Sequence, residues 1–286
     1  MGSPILVTGG TGRLGRHVVA RLLEAGRPVR VLSRGRRAGG NGRDGRVEQV
    51  MADLMSGDNI APAITGIETI VHCAGSSKGD HVQTTRIVDA AARAGVRHLV
   101  YISVVGAERV RMAGAADRML FGYFGSKRAS EQLIMDARVP WTILRATQFY
   151  DLLLLMADQL ARLPVIPVAA GTQFQPVDSD EVAARLVELA LRSPAGLVPD
   201  VAGPKIYSMA DLMRAYLRAT DRHRALIPIW LPGQAARAVR SGAILAPDRA
   251  VGRLTWEAFL AEQVSTRRGR PERHAAPHDM AAANSL

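Results

Sequence analysis

The feature that most constrains the fold of this chain is a glycine-rich turn between a strand pattern and a helix pattern. An apolar run at 4–7 precedes Thr8-Gly9-Gly10-Thr11-Gly12-Arg13-Leu14-Gly15, and apolar residues at helical spacing follow it. Glycines at 9, 12 and 15 remove side chains where a tight turn, a diphosphate and a helix-to-strand contact need room. The N–H groups and dipole of a helix start favour an anion. A flexible turn after any buried strand is the alternative, but this context favours a dinucleotide.

Apolar, β-branched runs then alternate with helical patterns, which is typical of a parallel sheet covered on both faces. The predicted strands are 4–8, 29–33, 47–51, 68–73, 98–103 and 141–145. The predicted helices are 13–25, 58–64, 81–94, 123–137, 151–163, 179–192, a helix capped by Ser208, and 234–241. The fold class is therefore α/β, a doubly wound, Rossmann-like parallel sheet with a smaller C-terminal substrate-binding portion.

The domain organisation follows from the same pattern. We expect one domain over 1–265, with the cofactor core in about 1–150 and substrate-side elements mainly in 151–265. The segment 266–286 has no apolar periodicity, so we predict a disordered tail.

Composition limits the class of protein. The net charge of +11 comes mostly from arginines spread along the chain, and aromatic residues make up only 5%, so we expect no nucleic-acid binding. The single cysteine excludes an internal disulfide. We see no signal peptide, no apolar stretch long enough to span a membrane and no metal-ligand spacing. The expectation is a cytoplasmic protein with no metal and a small-molecule substrate, and the sequence leaves the oligomeric state unknown.

Residues that follow the second, third and fourth strands are candidates for cofactor binding. Ser33-Arg34 stands where an acidic side chain would bind the adenosine ribose, and a guanidinium there suits a 2′-phosphate, so NADP is favoured with NAD possible. Asp53-Leu54 offers a carboxylate either to the adenine amino group or as a helix cap. In Cys73-Ala74-Gly75, small residues let the backbone approach the cofactor ribose, and the thiol is more typical of a buried residue than of a nucleophile.

A tyrosine and a lysine four residues apart indicate acid–base chemistry. Tyr123 and Lys127 share one face of a predicted helix. An ammonium near the phenol lowers the phenol pKa towards neutrality, which prepares it to exchange the proton that accompanies hydride transfer. Ser103, at the end of the fifth strand, is a candidate hydrogen-bond donor to a carbonyl. A surface Tyr-Lys pair and a simple strand-ending serine are the alternatives.

Several segments together resemble the NmrA-like, atypical branch of the short-chain dehydrogenase/reductase superfamily. They are the glycine-rich turn, 72–75, 96–103, Tyr123 to Lys127 followed by Glu131, and 140–149. The resemblance extends to Gly203-Pro204 and Pro232-Gly233. It implies a Rossmann-like sheet that binds NAD(P)H, with glycines at 9, 12 and 15, an adenine-side carboxylate at Asp53, and the tyrosine and lysine at 123 and 127. The reactive serine of the extended enzymes falls at Val104, one position after Ser103.

The function that these expectations favour is an NADP(H)-dependent oxidoreductase that reduces a small, fairly apolar carbonyl, quinone or enone. The predicted substrate pocket is lined by Met119, Gln148, Phe149 and Tyr150. The alternatives are an NAD(P)-binding redox sensor or regulator without turnover, and an enzyme similar to nucleotide-sugar epimerases or dehydratases.

Overall fold

The structure is a computed structural model that describes residues 3–35, 45–75 and 80–268. Its strands are β1 (Ile5–Thr8), β2 (Val29–Ser33), β3 (Val47–Met51), β4 (Thr69–His72), β5 (His98–Val104), β6 (Trp141–Ala146), β7 (Val165–Ala169), β8 (Gln173–Phe174), β9 (Gly196–Leu197), β10 (Tyr207–Ser208) and β11 (Ala225–Ile229). Its helices are α1 (Arg13–Glu24), α2 (Ile60–Ile64), α3 (Asp80–Arg93), α4 (Ala115–Met135), α5 (Tyr150–Leu160), α6 (Ser179–Ala190), α7 (Met209–Ala219), α8 (Gln234–Arg240) and α9 (Trp256–Arg268).

Seven parallel strands form the central sheet in the order β3-β2-β1-β4-β5-β6-β9. The chain winds outward from β1 to β3 and then returns to place β4 on the other side of β1. In an open parallel sheet, the carboxyl ends of the two strands at such a reversal enclose a crevice that binds ligands. The predicted fold class is confirmed, and the reversal brings the glycine-rich turn after β1 next to the segment after β4.

Alternation along the strands divides the core between the two faces of the sheet. Ile5 and Val7 of β1 pack in one apolar cluster with α1 and α6. Leu6, between them, packs in a second cluster with α2, α3 and α4. Because successive strand side chains point to opposite faces, a strand that is apolar throughout supplies both clusters.

Helix α4 begins at Ala115, eight residues before the predicted start at 123. Its glycines at 122 and 125 are unfavourable in a helix interior, and this hides the first two turns of α4 from a sequence pattern. A tertiary contact compensates. The buried Asp117 carboxylate accepts hydrogen bonds from the N–H of Ala113 and from that of Ala235 at the start of α8, at 3.0 and 3.2 Å. These hydrogen bonds also hold the pKa of Asp117 below its usual value.

A third apolar cluster lies under the C-terminal portion. Tyr150, Trp256 and Phe259 stack on one another with ring centroids 5.2–5.7 Å apart. Two small sheets flank this cluster, a parallel β7–β11 pair and an antiparallel β8–β10 pair, and β11 has no counterpart among the predicted strands. Helix α9 continues to Arg268, so the first three residues of the predicted tail are helical. The remainder, 269–286, lies outside the described residues.

Candidate functional site

Three of the four glycines in the turn after β1, those at 9, 12 and 15, have different surroundings. Gly9 has φ +69°, and a Cβ there would lie 2.7 Å from the backbone nitrogen of Ala74. A Cβ on Gly15 would overlap the carbonyl oxygen of Gly9. By contrast, a Cβ on Gly12 would meet only that carbonyl oxygen, at 3.1 Å. Gly9 and Gly15 are therefore required by the fold, whereas the bare backbone at Gly12 faces space that protein atoms do not fill.

The start of α1 fits an anionic group. Gly12 is the N-cap, no side chain among the described residues caps the helix, and its first turn contains no acidic residue. The first N–H groups of a helix have no intrahelical partners and carry a partial positive charge. Thr11 and Arg13 are exposed, while Thr8, Gly10 and Leu14 are buried behind the turn. The residues present thus fit the diphosphate of a dinucleotide.

At the end of β2 the structure shows a serine and an exposed arginine in the place of a carboxylate. The Ser33 hydroxyl donates to the carbonyl oxygen of Gly35 at 3.3 Å. Arg34 is exposed, and within the described part of the chain its guanidinium forms no ion pair. The predicted 2′-phosphate role of Arg34 stays a prediction, but this charge is available to a ligand.

The segments after β3 and β4 contain Asp53 and Cys73, each of which had two possible roles in the sequence. Asp53 Oδ1 accepts the N–H of Met55 at 2.7 Å, so the carboxylate caps the following turn, and Leu54 is buried in the core. Burial raises the pKa of the Cys73 thiol to about 12, which opposes a nucleophilic role. The Ala74 N–H donates to Thr8 Oγ1 at 3.2 Å and joins the two strand ends.

Lys127 lies at the centre of a buried polar group between α4, β5 and α3. Its ammonium donates to the Tyr101 hydroxyl at 3.0 Å and to the carbonyl oxygen of Ile102 at 3.1 Å. Asp80 Oδ2 is 3.5 Å away. A Cβ added to Gly75 would lie 3.4 Å from the ammonium nitrogen, which places the lysine beside the end of β4. Lys127 is therefore a positioned, buried cation and not one half of a surface pair.

The predicted partner of Lys127, Tyr123, differs from expectation in its electrostatics. The lysine nitrogen lies 5.9 Å from the centre of the Tyr123 ring, and the tyrosine is 39% exposed. Desolvation raises the pKa of the phenol, and the positive charge of Lys127 offsets only part of this rise. The predicted lowering of the phenol pKa is therefore wrong, because desolvation raises this pKa by more than the charge of the nearby ammonium lowers it. The phenol keeps its proton at neutral pH.

Three buried hydroxyls in the described part of the chain have no hydrogen-bond partner. They are the Ser103 Oγ at the end of β5, the Ser126 Oγ of α4 and the Thr147 Oγ1 directly after β6. A buried hydroxyl without a partner is costly, and such groups are common where a ligand binds. This observation is compatible with the predicted role of Ser103 as a donor, which no contact in the structure tests.

A buried ion pair anchors α4 to the sheet. Arg145 of β6 donates two hydrogen bonds to the Glu131 carboxylate, at 2.8 and 2.7 Å. Glu108, in the segment after β5, lies 3.0 Å from the same guanidinium. Glu131 is one helical turn beyond Lys127, so this pair fixes the orientation of the helix that carries Tyr123 and Lys127.

Sequence reasoning missed most of the polar groups behind the site. His72 Nδ1 lies 2.6 Å from Thr8 Oγ1, its Nε2 lies 3.4 Å from Thr84 Oγ1, and its ring stacks on Tyr101 at 5.4 Å. Burial lowers the pKa of His72 to about 4. The signal available in the sequence was a histidine at the end of a buried strand, but its partners come from other elements and share no spacing with it.

The predicted substrate pocket is only partly supported. Met119 is 81% exposed on α4. Gln148 bridges the Ile244 carbonyl oxygen and the Gln175 N–H at 3.2 Å each, and Phe149 packs against the core. Tyr150 does not line a pocket. It is fully buried, and its hydroxyl donates to the Leu254 carbonyl oxygen at 2.6 Å, because the C-terminal portion packs directly over it.

Other features of the described residues bear on ligands. A surface cavity of about 1170 Å³ involves none of the predicted site residues and is lined by Arg162, Pro164, Arg214, Leu217, Arg218, Asp221, Arg222, His223, Arg224, Ala225 and Leu226. No group of three or more His, Cys, Asp or Glu in the described ranges is arranged to hold a metal. No helix in those ranges combines the length and apolarity needed to cross a membrane.

A doubly wound parallel sheet with a glycine turn at its reversal defines a dinucleotide-binding protein of the Rossmann type. A sequence family described as NAD(P)H-binding matches residues 9–191, and the chain belongs to this family. The resemblance to the NmrA-like, atypical short-chain dehydrogenases and reductases is thereby confirmed. The cofactor class is a nicotinamide dinucleotide.

Characterised relatives include reductases and an assembly factor. The ceramide reductase of Caulobacter vibrioides is 31% identical over 245 residues, which cover 80% of this chain and 74% of that protein. A (4-alkanoyl-5-oxo-2,5-dihydrofuran-3-yl)methyl phosphate reductase of Streptomyces griseus is 33% identical over 63% of this chain and 60% of its own length. The photosystem II assembly factor Ycf39 of Trieres chinensis is 28% identical over 63% of this chain and 57% of its own length. The chain thus spans less than two thirds of the last two proteins.

Solved structures share the fold at low identity. An NADPH-dependent quinone oxidoreductase from Escherichia coli, in complex with NADPH, has a TM-score of 0.73 at 17% identity and covers 92% of this chain and 99% of its own. Triphenylmethane reductase from Citrobacter has a TM-score of 0.72 at 19% identity with the same coverage. A nucleoside-diphosphate-sugar epimerase from Staphylococcus aureus has a TM-score of 0.71 at 16% identity, with 90% and 99% covered. At these identities the likeness supports the fold and not a substrate.

Proposed function

We propose that this protein is an NADP(H)-dependent oxidoreductase that reduces a small, fairly apolar carbonyl, quinone or enone. The observation that carries the proposal is the buried Lys127 ammonium, which is held by Tyr101 and by the backbone of β5, with the phenol of Tyr123 on the same helix face. The ammonium lies beside Gly75, and the preceding residue, Ala74, is hydrogen-bonded to Thr8 at the start of the glycine turn. These contacts support a site in which Tyr123 is the proton donor, Lys127 is a fixed cation and the glycine turn holds the dinucleotide.

Each residue has a distinct role in this proposal. Bound NADPH supplies a hydride. Tyr123 donates the proton that the substrate oxygen needs, and its raised pKa keeps that proton in place until the oxygen becomes basic. Lys127 binds the nicotinamide ribose hydroxyls and stabilises the phenolate that remains. The unpartnered Ser103 hydroxyl donates a hydrogen bond to the substrate oxygen.

The choice of NADPH over NADH rests on the end of β2. Ser33 replaces the carboxylate that would accept the ribose hydroxyls, and the exposed Arg34 offers two parallel N–H donors to a 2′-phosphate. A preference of about tenfold corresponds to about 1.4 kcal/mol, which one charge-assisted contact of this kind can supply.

The test is consumption of NADPH with a panel of quinones, enones and aldehydes, followed by two variants. Tyr123→Phe keeps the ring but removes the proton, so we expect near-normal NADPH affinity and a loss of turnover of about 10² to 10⁴. Lys127→Met removes both the ribose contact and the charge, so affinity and turnover fall together. Lys205→Met, at an exposed lysine that pairs with Glu257, is the matched control and leaves both unchanged.

The outcomes separate the proposed enzyme from the alternatives. Full activity of Tyr123→Phe with an inactive Lys127→Met would move proton donation away from Tyr123. Micromolar NADPH binding with no turnover across the panel would replace the enzyme with a dinucleotide sensor that acts through a protein partner. NAD that is retained tightly through purification would favour the epimerase-like reading.

A further inference from the structure

Asp80, the first residue of α3, is fully buried and faces Lys127 from the opposite side of the site. Its Oδ2 accepts hydrogen bonds from the Tyr101 hydroxyl at 2.8 Å and from the Ser130 hydroxyl at 2.9 Å. The same oxygen lies 3.5 Å from the Lys127 ammonium. A fully buried carboxylate is costly unless it is paired and hydrogen-bonded, so these contacts explain how the fold tolerates it.

Tyr101 connects the carboxylate to the ammonium. A phenol has one proton, and here that proton is donated to Asp80, which leaves the phenolic oxygen to accept from Lys127 at 3.0 Å. The hydroxyl is therefore used on both sides and is fully buried, so Tyr101 is not available to protonate a substrate. Burial also raises the pKa of Tyr101, which keeps the bridging proton in place.

A series of polar contacts leads from the glycine turn to the same carboxylate. The Ala74 N–H donates to Thr8 Oγ1, which lies 2.6 Å from His72 Nδ1, and His72 Nε2 lies 3.4 Å from Thr84 Oγ1. The Thr84 hydroxyl lies 2.9 Å from the carbonyl oxygen of Asp80 and 3.1 Å from the Ser130 hydroxyl, which donates to Asp80 Oδ2 at 2.9 Å.

Gly75 shows that the backbone is shaped around this carboxylate. A Cβ on Gly75 would lie 2.9 Å from Asp80 Oδ1, so only glycine leaves room for the carboxylate in its observed position. Within the described residues, Oδ1 itself has no hydrogen-bond partner. The carboxylate is thus held through one oxygen, which is the oxygen nearest the ammonium.

We propose that Asp80 is the positioning residue of the site: acting directly and through Tyr101, it holds the Lys127 ammonium beside Gly75 at the carboxyl end of β4. The inference rests on the proposed function in one respect, which is that Lys127 binds the ribose of the cofactor. The placement and charge of the ammonium are properties of the protein alone.

The electrostatics agree with this geometry. Burial by itself would lower the pKa of Lys127, but the nearby groups Tyr101, Tyr123 and Asp80 raise it above its usual value. Asp80 is the carboxyl group among these three, and its Oδ2 is the oxygen 3.5 Å from the ammonium. Five titratable side chains of the described elements around Lys127 interact electrostatically with this ammonium. They are His72 and Cys73 at the end of β4, Asp80 of α3, Tyr101 of β5 and Tyr123 of α4.

The decisive measurement is the titration of Lys127 by NMR, with the 13Cε and 15Nζ chemical shifts of the lysines followed from pH 6 to 11. The chain contains only three lysines, at 78, 127 and 205, so Lys78→Arg and Lys205→Arg assign the signals. Asp80→Asn keeps the size and the hydrogen-bond acceptor but removes the charge. We expect it to lower the pKa of Lys127, so that the Lys127 signals begin to shift at a pH at least about one unit lower than in the unmodified protein.

Ser130→Ala is the matched control, because it removes one donor to Asp80 and leaves the carboxylate charge in place. It should leave the pH at which the Lys127 signals begin to shift within about 0.3 of the value in the unmodified protein. If Asp80→Asn does not fold, Tyr101→Phe is measured in its place. This variant keeps the ring that stacks on His72 but removes the hydroxyl that connects Asp80 to Lys127. It should shift the Lys127 signals and lower the pKa of Lys127.

An unchanged Lys127 titration in Asp80→Asn, or in Tyr101→Phe where that variant decides, overturns the proposal, whatever the protein reduces. The NMR readout needs neither cofactor nor substrate. Failure of the reductase assay with the expected Lys127 titration would therefore count against the proposed function and not against the role of Asp80.

Discussion

The neutral, buried His72 predicts a specific loss of stability in mild acid. Its ring is enclosed by Thr8, Thr84 and Tyr101, and its pKa in the folded protein is about 4 because burial disfavours the charged form. In the unfolded chain the pKa is the ordinary 6.5. Between these two values the unfolded state binds a proton that the folded state does not, so stability falls as the pH decreases.

The size of the effect follows from the two pKa values. Each pKa unit corresponds to about 1.4 kcal/mol, so the complete difference between 6.5 and about 4 is worth about 3 kcal/mol. Above the unfolded pKa nothing is lost, and below about pH 4 the loss is complete. Between pH 7 and 5, where few carboxylates titrate, the loss from His72 amounts to about 2 kcal/mol.

The assay is urea unfolding at pH 7.0, 6.0 and 5.0, followed by circular dichroism, for the unmodified protein and for His72→Gln. The variant removes the titrating ring, so its free energy of unfolding should fall by about 2 kcal/mol less over that range, even if it is less stable at pH 7. His223→Gln, at an exposed histidine, is the control and should follow the unmodified protein. Equal pH dependence of His72→Gln and the unmodified protein would refute a buried, neutral His72.

Three further predictions concern the cofactor turn and the helix anchor. Gly12→Val should weaken NADPH binding at least about 100-fold with little change in melting temperature. Gly15→Ala should lower the free energy of unfolding by more than about 2 kcal/mol, because its Cβ would overlap the turn. Calorimetry and fluorescence titration check both variants, and the reverse order of effects would contradict the different roles of Gly12 and Gly15. Arg34→Ala should erase most of a tenfold preference for NADPH over NADH, and equal affinities for both cofactors in the unmodified protein would contradict the 2′-phosphate site. Glu131→Ala leaves the buried Arg145 without its two hydrogen bonds and should cost about 3 kcal/mol in urea unfolding, while a loss below about 1 kcal/mol would show that the pair contributes little.

The fold was predictable because each element carries its own signal. Apolar runs such as 99–102 are typical of strands buried on both faces, and the structure places β5 over His98–Val104 with every residue buried. Where the signal was tertiary, prediction failed. The first turns of α4 depend on Asp117, whose partner Ala235 is 118 residues away, and the short strand β11 depends on β7. No local pattern contains either contact.

The candidate site shows the same division at the level of single residues. The spacing of Tyr123 and Lys127 indicated a shared helix face, but it carried no information on what else approaches the ammonium. Asp80 and Tyr101 reach Lys127 only because the sheet order puts β4 next to β5 and packs α3 against α4. The direction of the Tyr123 pKa shift could not be predicted for the same reason, since it depends on desolvation and on Asp80 as well as on the lysine.

The charge states of the site bear on the proposed reduction. Tyr123 holds its proton because its pKa is raised, and the pKa of Lys127 is raised by Tyr101, Tyr123 and Asp80. A carbonyl that accepts a hydride needs a proton donor, and a fixed cation beside that donor stabilises the phenolate as it forms. The arrangement at α4 therefore supports the proposed role of Tyr123 as the proton donor, and the proposed role of Asp80 is to keep the cation in place beside it.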